Sequence, residues 1–110
     1  MARLREPVRV AAEGFVGAEE QLSRALAGVT DTASARGAMP RIEELLGKLG
    51  EHWRALEQAG PSARAEARYA FWERLARADR GFEEQVSRIK GTPGVGPVLS
   101  PLLDKVPRWR

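Results

Sequence analysis

At 110 residues the chain has room for one domain with a modest core. It contains no cysteine, which excludes disulfides and thiolate metal sites, and no apolar run approaches the roughly 18 residues of a membrane span. The formal charge of +3 is uneven: residues 1–60 carry 8 basic and 9 acidic side chains, and residues 61–110 carry 10 and 6. Such a mild basic excess permits anionic partners without requiring them, and nucleic-acid binders usually show a denser basic cluster.

Residues 1–6 read as an arm, and Pro7 suits the first turn of a helix, where a missing N–H costs nothing. From Val8, the apolar positions Ala11, Phe15, Ala18, Leu22, Ala25, Leu26 and Val29 keep helical spacing, which predicts a helix over 7–28. Gly14 and Gly17 weaken it by about 1 kcal/mol each against Ala, and they permit close approach of a neighbour. Glu20 and Arg24 form an i,i+4 pair.

Asp31 is the natural N-cap of a second helix over 32–59. Its apolar residues Met39, Ile42, Leu46, Leu49, Trp53 and Leu56 make a lengthwise seam, and the other elements are expected to pack on it. Pro40 removes one backbone bond and predicts a kink; the alternative is a short turn at 32–38 and a new helix starting at Pro40.

Gly60-Pro61-Ser62 stops one helix and starts the next, and so short a turn makes the two antiparallel neighbours. The third helix, predicted over 62–90, places Phe71, Leu75, Ala78, Phe82, Val86 and Ile89 on one face. Glu73–Arg77 and Glu84–Arg88 are i,i+4 pairs on the other. Residues 91–97, GTPGVGP, are irregular. Val98, Leu99, Leu102, Leu103 and Val106 then form a short apolar piece interrupted by Pro101, folding back over the bundle. Residues 107–110 are a basic tail carrying Trp109.

The run VTDTASARGAMPRIEELLGKL, through Thr30, Asp31, Ala33, Ser34, Ala35, Ala38, Pro40, Ile42 and Leu45, resembles short, functionally uncharacterised helical proteins of planctomycete bacteria. Those share a TD-x-A-S-A-x-x-A-x-P-x-(I/L)-x-x-L stretch, here matched over about residues 20–106. The resemblance implies a helical hairpin or small bundle and no known activity. Many such proteins are exported or lipid-anchored, whereas this chain carries neither a leader nor a lipobox cysteine. With Met1 as the native start a cytoplasmic location is expected; a trimmed export product belongs in the cell envelope.

Catalysis finds little to work with. A Ser-His-Asp site would have to use His52, the one histidine, and nothing marks a serine as activated. A carboxylate-bridged di-iron site needs Glu-x-x-His, and position 49 is Leu. The pairs Glu19-Glu20, Glu43-Glu44 and Glu83-Glu84 diverge by about 100° on a helix and read as solvating charge. Neither cofactor nor metal is implied. Trp53, Phe71 and Phe82 sit on core positions, while Tyr69 and Trp72 lie off the main stripe, where the wider buried face of a middle or edge helix would account for Trp72 without function. Together with Trp109 they are candidate partner-binding residues, because exposed Tyr and Trp are enriched at binding hot spots.

Residues 89–100, IKGTPGVGPVLS, are similar to the hairpin of helix-hairpin-helix DNA-binding motifs, L-P-G-V-G-P-x-x-A, through Pro93, Gly94, Val95, Gly96 and Pro97. In those motifs backbone amides approach a phosphate at a helix N-terminus. The resemblance makes Gly94, Gly96 and Lys90 candidate phosphate contacts. Val98 and Leu99 replace the usual basic or hydroxyl residues, and Pro101 interrupts the second helix. The VPRWR tail could also rest at lipid headgroups, although one Trp and a few cations bind weakly.

The expected architecture is therefore all-α: an antiparallel three-helix bundle closed by a short C-terminal segment. The expected role is a non-enzymatic structural or protein-interaction domain that binds a protein partner or itself. The alternative is nucleic-acid binding through GTPGVGP and the basic C-terminal half.

Overall fold

Helical periodicity dominates the chain, and the computed structural model, which describes residues 5–109, is all-helical: α1 (Glu6–Ala27), α2 (Thr32–Ala59), α3 (Pro61–Ala70), α4 (Trp72–Lys90) and α5 (Gly96–Leu103). Most of the arm expected over 1–6 lies outside the described residues, and Glu6 already belongs to α1. The molecule measures 48 × 22 × 17 Å. None of the described helices is long and apolar enough to cross a membrane.

The helix at the centre is α1 rather than α2. It packs against α2, α3 and α4, whereas the backbones of α2 and α4 do not approach one another. Being packed on two sides explains why α1 buries a broad face: Ala11, Ala12, Phe15, Val16, Ala18, Leu22 and Leu26 are all inside. Each large apolar side chain buried here contributes about 1.5–3 kcal/mol.

The start of α2 is strongly specified. Asp31 Oδ1 accepts from the Ser34 amide at 2.7 Å, and Ser34 Oγ accepts from the Asp31 amide at 3.0 Å, a reciprocal capping box. Donation from the Ser34 amide and from the Ser34 hydroxyl to Oδ1 holds the Asp31 carboxyl below the usual aspartate range. The helix then runs through Pro40 as one element, so no new start occurs there. Its buried face is Ala35, Ile42, Leu45, Leu49 and Leu56, with Met39, Leu46 and Trp53 half-buried beside it. Leu45 rather than Leu46 takes the inner position.

Gly60 has φ 95° and ψ 163°, a conformation only glycine adopts readily, and Pro61 follows as the first residue of α3. The single helix expected over 62–90 is interrupted at Phe71, where φ −104° and ψ 12° leave the helical well. The bonds from the Phe71 amide to the Ala67 carbonyl and from the Leu75 amide to the Phe71 carbonyl persist at 3.0 and 2.8 Å, so the chain bends without unravelling. Beyond the bend, Leu75, Ala78, Phe82, Val86 and Ile89 are buried, as their spacing predicts.

Charged side chains reach across helices as well as along them. Arg74 clamps Glu20 through two bonds of 2.7 and 3.3 Å, holding the Glu20 carboxyl below its usual range. Arg88 donates to the Leu26 and Val29 carbonyls at 2.6 and 2.8 Å, adding a second donor to the Leu26 carbonyl, which already accepts from the Val29 amide at 3.0 Å. These contacts replace the expected Glu20–Arg24 and Glu84–Arg88 pairings.

Candidate functional site

The groove-lining stripe of α3 and α4 reads Pro61, Arg64, Ala65, Arg68, Tyr69, Trp72, Leu75, Ala76, Asp79, stepping by 3, 1, 3, 1, 3, 3, 1 and 3, with the buried Leu75 at its inner edge. Helical spacing puts these residues in one line, and they bound an open groove of about 650 Å³ whose lining comes entirely from α3 and α4. The interruption at Phe71 sits in the middle of that line. On the core side Ala67 and Leu75 are buried and Phe71 half-buried, which fixes the segment so that the other side stays outward.

Tyr69 is 77% exposed and Trp72 63% exposed. They are two of the three large apolar or aromatic side chains left open among the described residues; Val10 is the third. The groove is dipolar: Arg64 and Arg68 stand toward the α3 end, and Asp79 toward the other. Arg64 Nη1 donates to the Glu57 carbonyl at 3.3 Å, which limits its swing.

Behind Asp79 lies Glu19, which is only 1% exposed, contrary to the expectation that Glu19-Glu20 is solvating charge. Its Oε1 has no hydrogen-bond partner. Burial, then a hydrogen bond to Asp79 and the negative charge of that residue, push the Glu19 carboxyl up to about 9, against the opposing pull of Arg108 and with a further push from Glu83. Burial beside Asp79 thus favours the neutral form of Glu19. The other acidic pairs behave as expected at the surface: Glu44 takes Arg41 and Lys48 at 3.0 and 3.5 Å, and Glu83 takes Arg108 at 2.6 Å.

The third candidate partner residue, Trp109, is not on this face. It is 3% exposed and closes an aromatic cluster with Phe15 and Trp53, with centroids 5.6 and 6.5 Å away. Arg108 sits 4.9 Å over the Phe82 ring as the tail returns. The tail is thus part of the core, and its tryptophan is not available as a lipid or partner anchor.

The GTPGVGP turn is folded onto the chain itself. Gly94 has φ 79°, and its carbonyl accepts from Thr32 Oγ1 at 3.2 Å. The Val95 and Gly96 amides both donate to the Thr92 carbonyl, at 3.1 and 3.2 Å. A Cβ at Gly96 would lie 3.0 Å from the Lys90 carbonyl, so the residue is small to fit its own backbone. Lys90 Nζ is paired with Asp104 at 3.0 Å. Gly94, Gly96 and Lys90 are close together, but their polar groups are largely engaged.

His52 lies with its imidazole directly over Gly14, where a side chain on α1 would overlap the ring. Among the described residues no three His, Cys, Asp or Glu side chains are grouped to hold a metal ion. Sequence reasoning missed Glu19 and the bend at Phe71. The one available clue to Glu19 was its place three residues before Leu22 and four after Phe15, on the apolar side of α1. Comparison of the chain with known protein families, curated proteins and solved structures gives no match.

Proposed function

We propose that this chain is a non-enzymatic protein-interaction domain that docks its partner on the α3–α4 face around Tyr69 and Trp72. We read α1, α2 and α4 as the antiparallel framework that presents this face. The observation carrying the proposal is the exposure of two large aromatic residues side by side on a groove, while Phe15, Phe82 and Trp109 are buried. Folding does not require such exposure, and rigid aromatic side chains are the residue types that dominate binding energy when a partner covers them. The only histidine is packed on Gly14, which supports a role without acid–base chemistry. Less supports nucleic-acid binding: the basic C-terminal half favours it, but the Val95 and Gly96 amides already donate to the Thr92 carbonyl.

The test is the cost of erasing the face. Tyr69→Ser and Trp72→Ser, singly and together, are expected to leave urea unfolding within about 1 kcal/mol of the parent, as surface substitutions do. A loss above about 2 kcal/mol would make the two rings part of the fold and end the docking proposal.

A further inference from the structure

Two pairs of charges along this face repeat with opposite sign about its centre, while Arg68, which also lines the groove, falls opposite Ala76. Arg64 lies eight residues before Trp72, and Asp79 lies seven after it. On the other flank Glu66 lies six residues before Trp72, and Arg80 lies eight after it. Glu66 and Arg80 are both exposed, and Arg64 and Asp79 both line the groove. When two identical helices meet face to face and antiparallel, the two-fold axis crosses them at one shared position. Residues equally far before and after that position then face each other across the contact, and each flank stays with its own flank.

With the axis at Trp72, Arg64 of one copy comes opposite Asp79 of the other, and Glu66 opposite Arg80. At about 1.5 Å per residue these pairs are offset by only about 1.5–3 Å along the axis, well within side-chain reach. Trp72 of each copy meets Trp72 of the other on the axis. A hetero-partner would not require the charges of this face to be complementary to themselves.

We infer that the partner of this face is a second copy of the same chain, paired antiparallel through the α3–α4 stripe about a two-fold axis near Trp72. This inference rests on the docking role proposed above. The stripe from 61 to 79 is roughly 27 Å long and one helix wide. Two such faces bury on the order of 1,000 Å², the low end for a specific contact. The dimer is therefore reversible, and monomer and dimer exchange at micromolar concentrations.

The experiment is sedimentation velocity on the full chain across the micromolar range, with matched charge reversals. Parent protein is expected to shift from monomer to dimer with concentration. Arg64→Glu alone and Asp79→Arg alone are expected to remain monomeric, because each puts like charges opposite one another twice. An equimolar mixture of the two restores both pairs and is expected to dimerise as the parent does. Asp79 touches the buried Glu19, so far-UV circular dichroism checks that variant. The exposed pair Glu66→Arg and Arg80→Glu repeats the design without approaching the core. Single reversals that dimerise like the parent, or mixtures that stay monomeric, overturn the antiparallel pairing. A parent that stays monomeric at every concentration overturns self-association. If the Tyr69→Ser and Trp72→Ser variants then keep parental stability, the face remains a docking site for a different protein; if they unfold, the docking role fails as well.

Discussion

Trp109 meets Phe15 edge-on, with ring centroids 5.6 Å apart and planes at 87°. The contact joins the last described residue to the middle of α1, and Trp53 of α2 completes the cluster at 5.8 Å from Phe15. The C-terminal tail thereby fills a gap between two helices that neither covers alone. Trp109→Ala is expected to cost about 3–5 kcal/mol, the range for a large aromatic side chain removed from a core. The measurement is equilibrium unfolding in urea. A midpoint indistinguishable from that of the parent would show that the tail is dispensable.

Glu19 makes stability depend on pH in an unusual direction. Its folded-state value of about 9 lies above the ordinary 4.5, so the folded chain keeps a proton that the unfolded chain releases. Its contribution is fully present below 4.5 and is lost as pH rises toward 9, with a slope of at most about 1.4 kcal/mol per pH unit. Glu19→Gln keeps the shape and the donor but cannot ionise. The variant is expected to be more stable than the parent at pH 8, by at most about 5 kcal/mol, and to lack the slope. Parallel pH profiles for parent and variant would mean that Glu19 is not held neutral.

Gly14 and His52 form a fitted pair, the ring lying where a Cβ would stand. Gly14→Ala raises helix propensity by about 1 kcal/mol, yet it is expected to lower the melting temperature because the ring must move. In a His52→Ala background the same substitution is expected to stabilise. This reversal of sign, read from a double-mutant cycle, is the check. Additive effects would show that the ring yields without cost.

Local rules made much of the fold legible. Asp31 announced the start of α2 because an N-cap acts on the amides just ahead of it, whereas the reciprocal bond from Ser34 emerges only in the fold. The buried series from Leu75 to Ile89 followed from period alone. Tyr69 and Trp72 stood off the main stripe, but the spacing alone did not decide whether a wider buried face covers them, and the structure leaves both exposed. What stayed hidden depends on distant partners. The bend at Phe71 carries neither Pro nor Gly and keeps the flanking backbone bonds, so nothing local marks it. Trp109 is buried by α1 and α2, far back in the chain. Glu19 was read as surface charge because its partners Asp79, Glu83 and Arg108 arrive from α4 and the tail. Arg88 found the carbonyls of Leu26 and Val29, which outcompete an exposed i,i+4 pair for a guanidinium.

The α3–α4 face, rather than the GTPGVGP turn, is the contact surface proposed for this protein, and backbone chemical-shift mapping separates the two most directly. A uniformly labelled chain is raised from micromolar to millimolar concentration, and duplex DNA is added in a parallel series. Amides of residues 64–79 are expected to shift or broaden with protein concentration, while those of residues 90–97 stay unchanged in both series. Unperturbed residues 64–79 at every concentration, together with DNA-dependent shifts confined to residues 90–97, would contradict it.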